Sequence, residues 1–123
     1  MDAVTTMHIG EVAERTSLSL RTLRHYDEIG LVVPSSRTEG GFRLYTDEDV
    51  ARIMIVRRMK PLGYSLDEMR AVLDIVDRLT RDPDSATARA DLHDVRAAAD
   101  ERKARLEDQV RMAEEFIDQL GRL

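Results

Sequence analysis

"TSLSLRTLRHYDEIG", Thr16 to Gly30, is the stretch on which the reading of this chain turns. Ser19 suits a helix N-cap, because its hydroxyl accepts a hydrogen bond from one of the backbone N–H groups that a helix start leaves unpaired. Leu20, Leu23, Tyr26 and Ile29 then recur at helical spacing, and Gly30 is a stop signal. Upstream, Ile9, Val12 and Ala13 share one face of an earlier helix that ends at Thr16. Two short helices joined by a tight polar turn predict a helix-turn-helix.

The polar residues of the second helix are open to two readings. In one, His25, Asp27 and Glu28 form a metal or acid–base cluster. In the other, Arg21, Arg24 and Tyr26 grip a nucleic acid. A closed zinc site needs four ligands, and the remaining histidines, His8 and His93, lie in unrelated segments. Arg24 stands three residues before Asp27 and four before Glu28, so ion pairing along the helix accounts for both acids. No nucleophile–base arrangement stands out either. No metal, no cofactor and no enzymatic reaction is therefore expected. The second helix of a helix-turn-helix enters the major groove with its N-terminal residues leading. That puts Arg21, Thr22 and His25, with Arg24 beside them, on the reading side. Arginine bonds guanine bidentately, and threonine bonds bases or packs on a thymine methyl.

"LVVPSSRTEGGFRLY" follows, Leu31 to Tyr45. Val32 and Val33 predict a strand that Pro34 ends, Gly40–Gly41 supply a tight turn, and "FRLY" sets Phe42 and Leu44 against Arg43 and Tyr45 in strand alternation. The result is a small hairpin, a wing. Arg43 is expected to point outward, within reach of a phosphate. Tyr45 either packs on the core or gives its hydroxyl to a phosphate.

In "TDEDVARIMIVRRMKPLG" Thr46 and Asp49 have capping-box spacing, although Asp is a weaker partner there than Glu. Val50, Ile53, Met54, Val56 and Met59 mark the buried side, and Pro61 and Gly63 end the helix. Arg57, Arg58 and Lys60 close it, which either complements the helix C-terminus or serves a polyanion. Lys60 is the member expected to touch phosphate. "SLDEMRAVLDIVDRL" opens with a capping box of Ser65 and Glu68. Its stripe is Leu66, Met69, Val72, Leu73, Val76 and Leu79, and "TRDPDSAT" is a loop.

From Ala88 to Leu120 there is neither Gly nor Pro. Leu92, Val95, Ala99, Leu106, Val110, Ala113, Ile117 and Leu120 form one stripe, with Arg102 in a seam position and a stutter around it. Such a helix spans about 50 Å at about 1.5 Å per residue. No core of a chain this small buries that stripe, so a partner helix must, and the simplest partner is a second copy.

Composition bounds these expectations. The chain has 123 residues and is 42% apolar, with two Phe, three Tyr and no Trp, so aliphatic side chains must fill a small core. The formal net charge of −5 counts against nucleic acid as a bulk signal. The charge is uneven, however: Val50 to Leu66 carry Arg52, Arg57, Arg58 and Lys60 and no acid. There is no cysteine, which excludes disulfides, thiolate metal sites and thiol switches. Neither a signal core in "MDAVTTMHIG" nor a membrane-length apolar run is present, so a cytoplasmic protein is expected.

"IGEVAERTSLSLRTLRHYDEIGLVVPSSRTEGGFRLYTDEDVARI" followed by "LGYSLDEM" resembles the MerR family of bacterial transcription regulators. The likeness covers roughly residues 7–79, with helices, wing and junctions in the family's order. It implies a mainly α fold: a winged helix-turn-helix DNA-binding domain with trailing helices over 7–79, a loop over 80–87, and a long antiparallel dimerisation coiled-coil helix over 88–120. The resemblance further implies a homodimer on a pseudo-palindromic promoter operator in double-stranded DNA, distorting its spacer so that RNA polymerase engages both promoter elements. By position, Arg21, Thr22, Arg24, His25 and Tyr26 look like the recognition-helix contacts, Arg43 the wing contact and Lys60 the later phosphate contact. His25 stands where the family usually has Tyr, and His8 where many members have a capping or basic residue. Metal- and redox-sensing members use cysteines, absent here, and multidrug-sensing members carry a large C-terminal ligand domain. This chain ends at "QLGRL", so a small-molecule effector is expected between the dimerisation helix and the DNA-binding lobes, or none is used. The competing expectation, supported by the acidic balance, is a coiled-coil interaction adaptor that does not bind DNA. Arg21, Arg24, Arg43 and Lys60 argue against it.

Overall fold

The computed structural model describes residues 4–123; the first three residues of the N-terminal stretch read for a signal core lie outside the described residues. The elements run β1 (Thr6–His8), α1 (Ile9–Thr16), α2 (Leu20–Glu28), β2 (Ser36–Arg37), β3 (Arg43–Thr46), α3 (Asp47–Met59), a 3-10 turn (Lys60–Leu62), α4 (Leu66–Arg81) and α5 (Ala86–Gly121). The chain divides into two compact units, one through Val76 and one from Asp77. The expected fold class is found: a mainly helical chain with a helix-turn-helix, a small winged sheet and a long C-terminal helix.

Local chemistry explains the boundaries of the first unit. Ser17 takes a left-handed backbone (φ 58) at the end of α1, which makes the turn tight. Ser19 caps α2 by accepting from the Thr22 N–H at 3.0 Å. At the other end the Leu31 N–H donates to Tyr26 O at 2.9 Å and the Gly30 N–H to Asp27 O at 3.0 Å, a Schellman closure. Gly30 occupies its left-handed position (φ 71), and Tyr26 and Leu31 are both buried across it. Arg70 of α4 then donates to Ile29 O at 2.6 Å, satisfying another end carbonyl of α2.

Both expected capping boxes form. Thr46 and Asp49 exchange bonds at the start of α3, and Ser65 and Glu68 at the start of α4. Asp49 does more than a weak cap. It is 3% exposed and also accepts from the Ser35 N–H at 3.1 Å and the Ser35 hydroxyl at 2.6 Å, fastening the loop after α2 to α3.

The wing departs from expectation in three ways. The sheet has three strands, in order β1-β3-β2, all antiparallel, because the short N-terminal strand β1 pairs along β3. Val32 and Val33 are not in it: the Val32 N–H reaches back to Tyr26 O at 3.3 Å and its side chain enters the core, while Val33 is exposed. The alternation of β3 also has the opposite phase. Tyr45, opposite Met7, is 1% exposed, whereas Phe42 is 67% exposed. The core of this unit gathers Met7, Val12, Leu23, Tyr26, Tyr45, Ile53 and Val56 among others.

In the second unit Ser85 caps α5 by accepting from the Ala88 N–H at 3.2 Å. Arg78 pairs with Asp91 at 2.6 Å. The helix has 36 residues, about 54 Å at about 1.5 Å per residue.

Candidate nucleic-acid interface

Arg21, Thr22, Arg24, His25, Tyr26, Glu28 and Lys60 line one open groove of about 730 Å³. Six of the eight residues singled out for DNA contact thus meet on one surface. Lys60 joins them from the 3-10 turn, more than thirty residues along the chain. Arg21, Arg24, His25 and Lys60 are exposed. Thr22 is half-buried, with its hydroxyl 2.9 Å from that of Ser19. Tyr26 is 5% exposed, so it shapes the groove from the core side, and burial raises its phenol above the ordinary value.

The groove is cationic in a chain of net charge −5. Arg21, Arg24 and Lys60 face one acid in its lining, Glu28, and none of the three forms an ion pair among the described residues. The pairing of Arg24 with Asp27 expected from helical spacing is absent. Asp27 instead accepts from Arg43 Nε at 2.6 Å and Arg37 Nη2 at 2.7 Å. Burial works to raise its carboxyl, but the hydrogen bonds and charges of Arg43 and Arg37 win and hold it below the ordinary carboxylate value.

Arg43 and Tyr45 are placed differently from the other six. Arg43 is half-buried and points toward Asp27 rather than freely outward. Tyr45 packs in the core; its hydroxyl is enclosed without a hydrogen-bond partner among the described residues, and burial raises its phenol. Of the two alternatives for Tyr45, the structure shows packing. Arg37 escaped the sequence reading because the strand was placed at Val32–Val33. The loop is the three residues 39–41, with the Thr38 N–H donating to Phe42 O at 2.9 Å, and this sets Arg37 opposite Arg43; a two-residue Gly40–Gly41 turn would have set Thr38 there.

Along α5, Leu92 and Val95 are half-buried, and Ala99, Leu106, Val110, Ala113, Ile117 and Leu120 are exposed. Met112 and Phe116, 64% and 58% exposed, widen the apolar arc beyond the expected stripe. No described helix is long and apolar enough to cross a membrane.

The MerR HTH family regulatory protein model matches residues 7–75, and the MerR DNA-binding model matches residues 50–123. The chain belongs to the MerR family. Over 117 residues it is 35% identical to heavy metal-dependent transcription regulator 2 of Rhizobium meliloti, covering 95% of this chain and 74% of that one. It is 38% identical over 84 residues to the regulator CueR of Vibrio cholerae, covering 68% of this chain. The chain spans about 60% of the length of that CueR relative. Among solved structures, the N-terminus of MtaN, the Bacillus subtilis multidrug transporter activator, superposes with a TM-score of 0.65 at 32% identity, covering 94% of this chain and 95% of that one. As a MerR-family chain, this one falls in a class of regulators and not of enzymes.

Proposed function

We propose that this MerR-family chain is a homodimeric, sequence-specific DNA-binding transcription regulator. The observation that carries it is the groove on α2. Three cations without acid partners converge there, on the helix whose N-terminal half the helix-turn-helix geometry offers to the major groove. An acidic chain that gathers unpaired cations on one face offers that face to a polyanion. In this reading Arg21, Thr22, Arg24 and His25 contact bases and phosphates, Tyr26 holds their platform, and Lys60 contacts phosphate. Arg43 contributes from the wing, and Tyr45 supports the wing from below.

Dimerisation is supported by α5. A helix of 36 residues with Leu106, Val110, Ile117 and Leu120 exposed is a face in search of a partner helix. A dimer places two recognition helices on a pseudo-palindrome, and the family resemblance extends this to a promoter operator whose spacer is bent for RNA polymerase. The heavy-metal dependence named for the Rhizobium relative is not extended to this chain, which contains no cysteine.

The test is selection of bound DNA from a random pool, followed by titration of the selected sequence across salt. An inverted repeat should emerge, with log affinity falling steeply against log salt, by about 0.9 for each phosphate neutralised. Failure to enrich any sequence, or salt-insensitive binding, refutes the proposal.

A further inference from the structure

Asp27 is an acid at the edge of a surface read as binding a polyanion, and by charge alone it opposes that function. Its geometry says otherwise. The carboxylate is 9% exposed, and one oxygen, Oδ2, accepts from both Arg43 Nε and Arg37 Nη2. Arg37 and Arg43 stand directly opposite each other on β2 and β3. Like charges in that position repel, and the single carboxylate between them removes the cost. Two guanidinium charges against one carboxylate leave the cluster at +1. Each guanidinium has five N–H donors and gives one to Asp27, so the rest remain for another oxyanion. Asp27 lies in the last turn of α2, so one side chain ties the helix that lines the groove to both strands of the wing hairpin.

We propose that Asp27 is a positioning residue for DNA binding: it holds Arg37 and Arg43 as one rigid fork, and that fork grips a backbone phosphate. This deepens the DNA-binding proposal and rests on it. Its signature is a reversed sign. Removing an acid from a DNA-facing surface ordinarily strengthens binding by reducing repulsion. Here removal releases two arginines from their fixed geometry and weakens it.

The experiment compares four chains on the DNA that the wild type selects, across salt: wild type, Asp27→Asn, Arg37→Gln/Arg43→Gln, and all three changes together. Asp27→Asn should weaken binding about tenfold, the scale of one charge-assisted hydrogen-bonded contact. It should also flatten the salt dependence by about one phosphate's worth. In the background without Arg37 and Arg43 the same change should not weaken binding at all. A second variant, Arg43→Lys, keeps the charge but cannot bond Asp27 and a phosphate at once through a planar fork. It should bind several-fold more weakly than wild type, and it decides the matter if thermal melting shows Asp27→Asn to be unfolded. Equal or tighter binding by folded Asp27→Asn overturns the inference. So does an equal loss in both backgrounds, or wild-type affinity in Arg43→Lys. A wild type that selects no DNA overturns the DNA-binding function first, and this role with it.

Discussion

Helices α2 and α5 carry the same kind of message in sequence, apolar residues at helical spacing, and the fold treats them oppositely. Leu23 and Tyr26 of α2 are 1% and 5% exposed, packed with Val12, Tyr45 and Ile53 in the core of their own unit. Leu106, Val110 and Ile117 of α5 are 40%, 58% and 65% exposed. Periodicity announces that a face will be buried, not by what. Length decides the rest: nine residues fit inside a small core, and 36 do not. The short helix is finished by its own chain, and the long one keeps its stripe exposed, the face the proposed dimer would bury.

The sharpest way to break this contrast is a charge on the exposed stripe. Leu106→Asp should split the dimer and with it abolish operator binding, because a carboxylate in a closed seam lacks a partner and costs several kcal/mol. Melting of the first unit should stay unchanged. Sedimentation and gel shift read the two effects, and a Leu106→Asp chain that remains dimeric removes α5 from the interface. The matching change in the short helix should do the reverse. Leu23→Ala leaves a cavity in the core and should cost about 2–5 kcal/mol of stability. The first unit is small, so that loss unfolds most of it, while α5 keeps its dimeric state.

How far the chain was legible follows the same division between local and distant partners. The cap at Ser19, the two capping boxes, the stop at Gly30 and the uninterrupted course of α5 all depend on residues within five positions of one another, and all were visible. The wing was not. "FRLY" fixes that alternate residues face opposite ways, but which pair faces inward is set by Met7, nearly forty residues away on β1. A three-residue strand gives no periodic signal of its own. The recognition-helix side of the candidate site was read from spacing, and Lys60 from its place at a helix end. The partners of Asp27 lie ten and sixteen residues on, so helical spacing pointed to Arg24 and missed Arg37 and Arg43.

The Asp27 bridge sharpens the comparison within the first unit, since it makes the end of α2 depend on charge where its middle depends on burial. Arg43 and Arg37 hold the carboxyl low against the opposing effect of burial. A depressed folded value means the stabilisation is complete above the unfolded value of about 3.9 and is lost as pH falls through the lower folded value. The stability gap between wild type and Asp27→Asn, measured by denaturant titration, should therefore be constant near neutrality and close only in acid, below about pH 4. A gap that closes near neutrality would assign the bridge to some other titrating group.

The smallest expected effect tests the turn that sets α1 against α2. Ser17 is the one non-glycine residue with positive φ among those described, and it sits where helices commonly place glycine. A side chain in the left-handed region costs about 1 kcal/mol. Its exposed position argues against any compensating contact. Glycine also gains freedom in the unfolded chain, which offsets part of the benefit. Ser17→Gly should therefore raise the stability of the first unit by no more than about 1 kcal/mol and leave α5-dependent dimerisation and operator affinity unchanged. A loss of stability instead would mean that Ser17 holds its conformation through more than backbone strain, and that the turn depends on the serine itself.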